Sequence, residues 1–360
     1  MSSLTYYPEW EAARERLTCW WHGGDIGRAA LQIVIPRATP HEVMPSMAEP
    51  PGWVTDASMH DPAYRQYLAQ RAAADATYFA EAVPSPCPTY LAPNSLALFL
   101  GCEGIERPDT VWCRPFLCDD DPGAPAFSYD PNNRYWRYTL AATRAFAAWS
   151  RGKSLQSVPD LIEGLDTLEA MRGGQRLLED LYDRPEWVQA SLRQITDLYF
   201  RHYDMLYDIL RDEVGGSVYW AWAPGRLAKL QCDFSAMISP AMFGEFMVPV
   251  LQEMTERLSY SIYHWDGPQA IPHHDHLLAL PHLDVLQWTP GAGQYSIADP
   301  RWWPIYHKTL DAGKGLMLGM SQDELAIIKR EFGAKTKRMI CHVTVASAAD
   351  AEQVIRLMEC

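Results

Sequence analysis

The stretch GLMLGMSQDELAIIKREFGAKTKRMICHVTV, residues 315–345, reads as strand, helix, strand. Two short apolar runs, 315–320 and 339–345, flank a helical segment over 321–333. A strand that needs a whole helix to reach the next strand runs parallel to it. The same alternation extends outward on both sides. SAADAEQVIRLME (347–359) follows as a helix. Upstream, LDVLQWTPG (283–291) reads as a strand and PRWWPIYHKTLDAG (300–313) as a helix. Before them, YSIYHWDG (260–267) is a strand and QAIPHHDHLLAL (269–280) a short helix. GSVYWAWAP (216–224) reads as a further strand, with SPAMFGEFMVPVLQEMTERL (239–258) as its helix, capped by Ser239 with Pro240 in the first turn. Five strand–helix units in a row predict a parallel sheet with helices outside it.

The N-terminal half has room for three more units. RAALQIVIPR (28–37) reads as the first strand, and 61–83 as a helix started by Asp61 and Pro62. NSLALFLG (94–101) fits a strand or a helix. Residues 133–150 and 173–214 read as helices, the second broken at Arg184-Pro185. The expectation is an α/β fold, a (β/α)8 TIM barrel forming one domain over 1–360. Within it, residues 1–60 form an N-terminal extension whose Pro-rich part, from about 36 to 60, reads as a long ordered insertion or a lid. A doubly wound open sheet is the alternative, weakened because no Gly-rich phosphate fingerprint follows the first strand.

Composition narrows the function classes. The chain of 360 residues is 48% hydrophobic and carries a net charge of −14. An acidic chain with no Lys/Arg cluster does not favour nucleic acid or an anionic membrane. The N-terminus has no apolar signal region, and no run reaches the length of a membrane span, so the expected address is cytoplasmic. Eight cysteines without regular spacing read as reduced, buried thiols. Fourteen tryptophans fall mostly in loop-like contexts, where they either wall a pocket or cap the ends of a sheet.

In a barrel, chemistry gathers at the C-terminal ends of the strands. Those ends carry Trp220 and Trp222, His264 and Asp266, then Gln287, Trp288 and Gly291. Asp233 lies in RLAKLQCDFSAM, read as the loop before a helix. Positions 264 and 266 share a strand face, so both side chains address one ligand. They read as metal ligands or as an acid/base pair, against the plainer reading of two groups capping a strand end. His273, His274 and His276 fall in the next helix, and His274 is expected to face solvent.

The run CDFSAMISPAMFGEFMVPVLQEM, a strand ending HWDG, and then LPHLDVLQWTPGAG resemble the uroporphyrinogen decarboxylase superfamily. VPDLIEGLDTLEAMRGGQRLLEDLYDRPEWV (158–188) and LGCEGIERPDTVWCRPFL (100–117) look like the same family, so the resemblance runs from about residue 95 to the C-terminus. It implies a (β/α)8 barrel and one of two chemistries, cofactor-free decarboxylation of tetrapyrrole acetates or zinc-dependent methyl transfer between a corrinoid protein and a thiol. The decarboxylases carry an R-Q-A-G-R clamp. Here WWHGGDIGRAALQIVIPR offers only Arg28 and Arg37. The thiol methyltransferases carry H-x-C where this chain has His264-x-Asp266, with a second Cys near the last strand, where Cys341 and His342 stand.

Methyl or related group transfer on a small substrate in a Trp-lined pocket is therefore the expected activity. His264, Asp266 and Asp233 are its catalytic candidates. Trp220, Trp222, Gln287, Trp288, Gly291 and Arg37 are substrate-binding candidates, and His264, Asp266 and Cys341 a candidate zinc set. A decarboxylase, carboxy-lyase chemistry without cofactor, is the runner-up, and a non-catalytic binding barrel the third reading. The expected partners are a small molecule and, for transfer, a corrinoid protein, with a homodimer as the open assembly.

Overall fold

The computed structural model describes residues 3–359, so Met1, Ser2 and Cys360, and the ends of the expected 1–360 domain, lie outside the described residues. Seven strands form the main sheet: β1 (Ala30–Pro36), β2 (Ala76–Ala80), β3 (Leu227–Gln231), β4 (Tyr260–Asp266), β5 (Val285–Thr289), β6 (Gly315–Ser321) and β7 (Met339–Thr344). Their order is β2–β1–β7–β6–β5–β4–β3. All pairings are parallel except β1 with β2. The strand bodies are almost wholly buried, as parallel strands covered on both faces must be. Each strand from β3 to β7 is followed by helix, so four of the expected strand–helix units are present as read, and the first has its strand at Leu227–Gln231 in place of 216–224.

Three sequence expectations change. The ring of eight parallel strands is not completed by hydrogen-bonded ladders: among the described residues the main sheet has seven strands, β2 runs antiparallel, and no ladder joins the edge strands β2 and β3. Irregular chain passes between them instead. Leu155 N donates to Pro84 O at 2.9 Å, Ser157 N to Pro86 O at 3.2 Å, and Val158 N to Val218 O at 3.0 Å. Second, the helix expected over 61–83 stops at Ala74. Asp61 caps it through Tyr64 N at 2.8 Å, but ATYFA alternates in burial and pairs antiparallel with β1. Third, 216–224 is not a strand of the main sheet. It is a small antiparallel hairpin, Ser217–Tyr219 with Ala221–Ala223, turning at Trp220, whose φ is +57°. The sheet strand is the next segment, Leu227–Gln231, which the polar Lys229 and Gln231 disguise as a loop. NSLALFLG contains a helix, Ser95–Phe99, and the break at Arg184-Pro185 is real. Residues 37–60 carry no helix or strand. Among the described residues no helix is long and apolar enough to cross a membrane. Seven cysteines there are free, and Cys19 and Cys118 are exposed, not buried as expected.

Candidate active site

Register assembles the site. In the parallel ladders Gln231 is opposite His264, and His264 is opposite Gln287. Three polar side chains therefore stand in a row across β3, β4 and β5. Two residues on from Gln231, just past the end of β3, comes Asp233, and two on from His264, as the last residue of β4, comes Asp266. The ligand atoms of Asp233, His264 and Asp266 all lie within 4.8 Å of one another. No other such group of three His, Cys, Asp or Glu occurs among the described residues.

His264 is held in one tautomer. Its Nδ1 meets the Oε1 of Gln287. The other end of that amide donates to Thr289 Oγ1 at 2.8 Å and to the carbonyl of Trp288 at 3.2 Å. A carbonyl only accepts, so the amide nitrogen must sit there and the amide oxygen must face the imidazole. Nδ1 then carries a hydrogen, and in the neutral ring the lone pair is on Nε2. That is the form a metal ligand or a general base needs. Gln287, expected to bind substrate, is thus engaged in orienting His264. The Trp220 ring meets the imidazole edge-on at 5.5 Å.

Asp233 is held as firmly. Asp166 accepts from the backbone N–H of Asp233 at 2.8 Å and of Phe234 at 2.9 Å, pinning the turn Asp233–Met237. The Gln231 amide nitrogen bridges Asp166 and Asp233, 3.1 Å to each. Glu163 accepts the backbone N–H of Gln231 at 2.9 Å, replacing the ladder partner that edge strand β3 lacks. Below them, buried Lys229 pairs with Asp160 at 2.7 Å and donates to Gln231 Oε1. Burial pushes the Glu163 carboxyl up to about 8. Burial, then the charge of Asp233, raises Asp166. Burial raises Asp233 too, against the pull of His264 and Lys229.

Asp160, Glu163 and Asp166 are the residues the sequence reading missed. Their signal was present, three acids at intervals of three in the otherwise apolar VPDLIEGLD, but a helix over that stretch would have explained the spacing as well. The helix begins only at Gly164.

The other expected residues scatter. Alternation turns Trp288 to the outer face, buried between Trp265 at 4.8 Å and Trp302 at 5.3 Å. Trp222 is also in the core, edge-on to Trp10 at 5.5 Å, its indole N–H on Asp212 at 2.8 Å. Of the proposed pocket-wall tryptophans only Trp220 is on a cavity. Cys341 shares its register with Leu31 and Leu318, is fully buried, and lies outside the three-ligand group. Burial pushes its thiol up to about 12. Gly291, at φ +90°, passes close to Asp266, and a Cβ there would sit 3.8 Å from its Oδ1. Arg37 is exposed beyond β1. His274 is not solvent-facing. It stacks on Trp265 at 4.4 Å and meets Thr309 Oγ1 at 2.9 Å, while His273 bonds Ser235 O at 2.9 Å. In the histidine-rich run after 260, only His264 reaches the site.

Two cavities flank the group. One of about 490 Å³ reaches Asp166, Gln231 and Asp233. The other, about 520 Å³, is walled by Trp220, Asp160 and His342. Both have the size of small-molecule sites.

No family model matches the chain, and no curated protein matches it. Among solved structures the fold resembles that of a methyltransferase from Methanosarcina mazei, with a TM-score of 0.59 over 96% of this chain and 98% of that chain. Sequence identity is 10%, so the likeness is one of fold, over nearly the whole length of both chains.

Proposed function

We propose that the chain is an enzyme of group transfer, most simply methyl transfer, acting on a small substrate at the C-terminal ends of the strands. The single observation that carries this reading is the convergence of Asp233, His264 and Asp266 within 4.8 Å, with the lone pair of the neutral His264 ring on Nε2. The full-length likeness to the fold of a methyltransferase supports it. We read the sheet as a (β/α)8 barrel whose ring is completed by irregular chain at 84–86 and 155–163. One imidazole nitrogen and two carboxylate oxygens form a donor set that zinc accepts. Such a metal supplies Lewis-acid activation of the atom that receives the group. Gln287 fixes the imidazole, and Asp166 with Gln231 fixes Asp233, so the donors are organised in advance. A corrinoid protein is the methyl source that this reading entails.

Polycarboxylate decarboxylation finds less support. Arg28 is spent on Glu81, Nη1 to Oε2 at 2.6 Å, and Arg37 lies outside the site, so neither of these two guanidinium groups clamps carboxylates there. A metal-free acid/base role for His264 rests on the same tautomer, and one experiment separates the two. Metal content and zinc titration by calorimetry are measured for the parent protein, His264→Ala and Asp266→Ala. The metal reading expects one equivalent in the parent and none in either variant. Undiminished binding in both variants sinks it. A metal-free parent whose activity disappears in His264→Ala selects acid/base chemistry.

A further inference from the structure

The cavity of about 520 Å³ has polar groups that nothing in the protein satisfies. Gln32 on β1 and His342 on β7 are register partners and both line it. The Gln32 side chain is 93% buried by area, the complement of its 7% exposure, yet its amide nitrogen has no partner. Its terminal torsion is soft, so the amide can turn its N–H to an acceptor in the cavity. His342 has no hydrogen-bond partner among the described residues. Its enclosed surroundings hold the imidazole down to about 4, neutral at ordinary pH, with one donor and one acceptor to offer.

The formal charge on this wall is already used. Asp160 is paired with Lys229 at 2.7 Å. An anion entering the cavity finds no free cation, and a cation finds no free carboxylate there. The aromatic faces on offer are Trp220 and Tyr90, both partly exposed. Trp220 also touches His264, so a molecule in the cavity sits beside the proposed reaction centre.

We propose that this cavity is a subsite for an uncharged, planar, hydrogen-bonding small molecule, whose carbonyl, hydroxyl or ring-nitrogen acceptor is held by Gln32 and His342. It rests on the proposed function only in taking this molecule as the substrate of that centre.

Three probes of one shape and different charge test it: benzamide, benzoate and benzamidine. Binding to the full chain is followed by Trp fluorescence and by ligand-observed NMR. Benzamide is expected to bind at least about tenfold more tightly than either charged isostere, the scale of leaving a buried polar or charged group unpaired. Gln32→Leu and, separately, His342→Phe should each weaken benzamide about tenfold while their melting curves stay cooperative. If one variant does not fold, the other carries the test. Benzoate or benzamidine binding as tightly as benzamide overturns the proposal. So does failure of all three to bind, or benzamide affinity unchanged in a folded variant. The titration needs neither metal nor turnover, so its failure leaves the group-transfer reading standing, and loss of that reading leaves the subsite standing.

Discussion

Two buried groups of charge lie at opposite ends of the sheet and are balanced differently. At the N-terminal end of β1, Glu81 is wholly buried but meets Arg28 at 2.6 and 3.0 Å, Arg16 at 2.6 Å and the Leu31 N–H at 2.7 Å. The one carboxylate there is matched by two guanidinium groups. At the C-terminal end, buried Asp160 pairs with Lys229, whereas buried Glu163 and Asp166 and the more exposed Asp233 meet N–H groups of the backbone and of Gln231. The first group is what a fold needs when it must bury a carboxylate. The second leaves negative charge unspent, which burial makes costly. A chain keeps such a surplus where a ligand or a proton will balance it, and the raised pKa values mark that place.

The largest effect should come from breaking the balanced end. Glu81→Ala leaves Arg28 buried without its counter-ion and should cost about 3–5 kcal/mol in urea unfolding. A cost below about 1 kcal/mol would mean that the pair is not what holds this end.

At the unbalanced end, His264→Ala should weaken zinc binding more than about 100-fold by calorimetry, since a ligand is lost and not merely misoriented. Affinity should also fall with falling pH, because Asp233 holds its proton to higher pH than an ordinary carboxyl.

Glu163 gives the comparison a sign. Its carboxyl rises from 4.5 to about 8, so the folded state keeps a proton that the unfolded chain releases. This contribution is fully favourable below about 4.5 and is lost as pH climbs toward 8. Glu163→Gln still accepts the Gln231 N–H but carries no charge. It should be more stable than the parent by about 4 kcal/mol at pH 8 and indistinguishable from it below the ordinary carboxyl range. Equal stability at pH 8 would show that Glu163 is not a source of the surplus.

Gln287→Met removes the acceptor at Nδ1. Zinc affinity should drop about tenfold, and the ring ¹⁵N shifts of His264 should lose the signature of a single Nδ1–H tautomer. Smallest of all, Cys341→Ala should leave zinc affinity unchanged and cost about 1 kcal/mol of stability. A change in metal affinity would reopen the thiol as a ligand.

The site was partly legible from sequence. His264 and Asp266 could be paired because alternation is a local rule, and the same rule could have turned Trp288 outward and Cys341 away from His342. Gln231 and Lys229 were lost because polar side chains inside a strand look like a loop when their partners, Asp160 and Asp166, lie about 65 to 70 residues away in the chain. Trp222 was misplaced because a loop-like context says nothing about which way a ring packs.

What the sequence determined by itself was the alternation of strand and helix from β4 to β7, because periodicity and helix caps act within a few residues. It also determined that His264 and Asp266 share a face. Only the tertiary structure decided the antiparallel β2, the hairpin at Trp220, the irregular chain between the sheet edges, and the joining of Asp233 to His264 and Asp266. Those depend on which segments meet across long stretches of chain, and hydrogen bonds and burial between distant residues leave no local pattern to read.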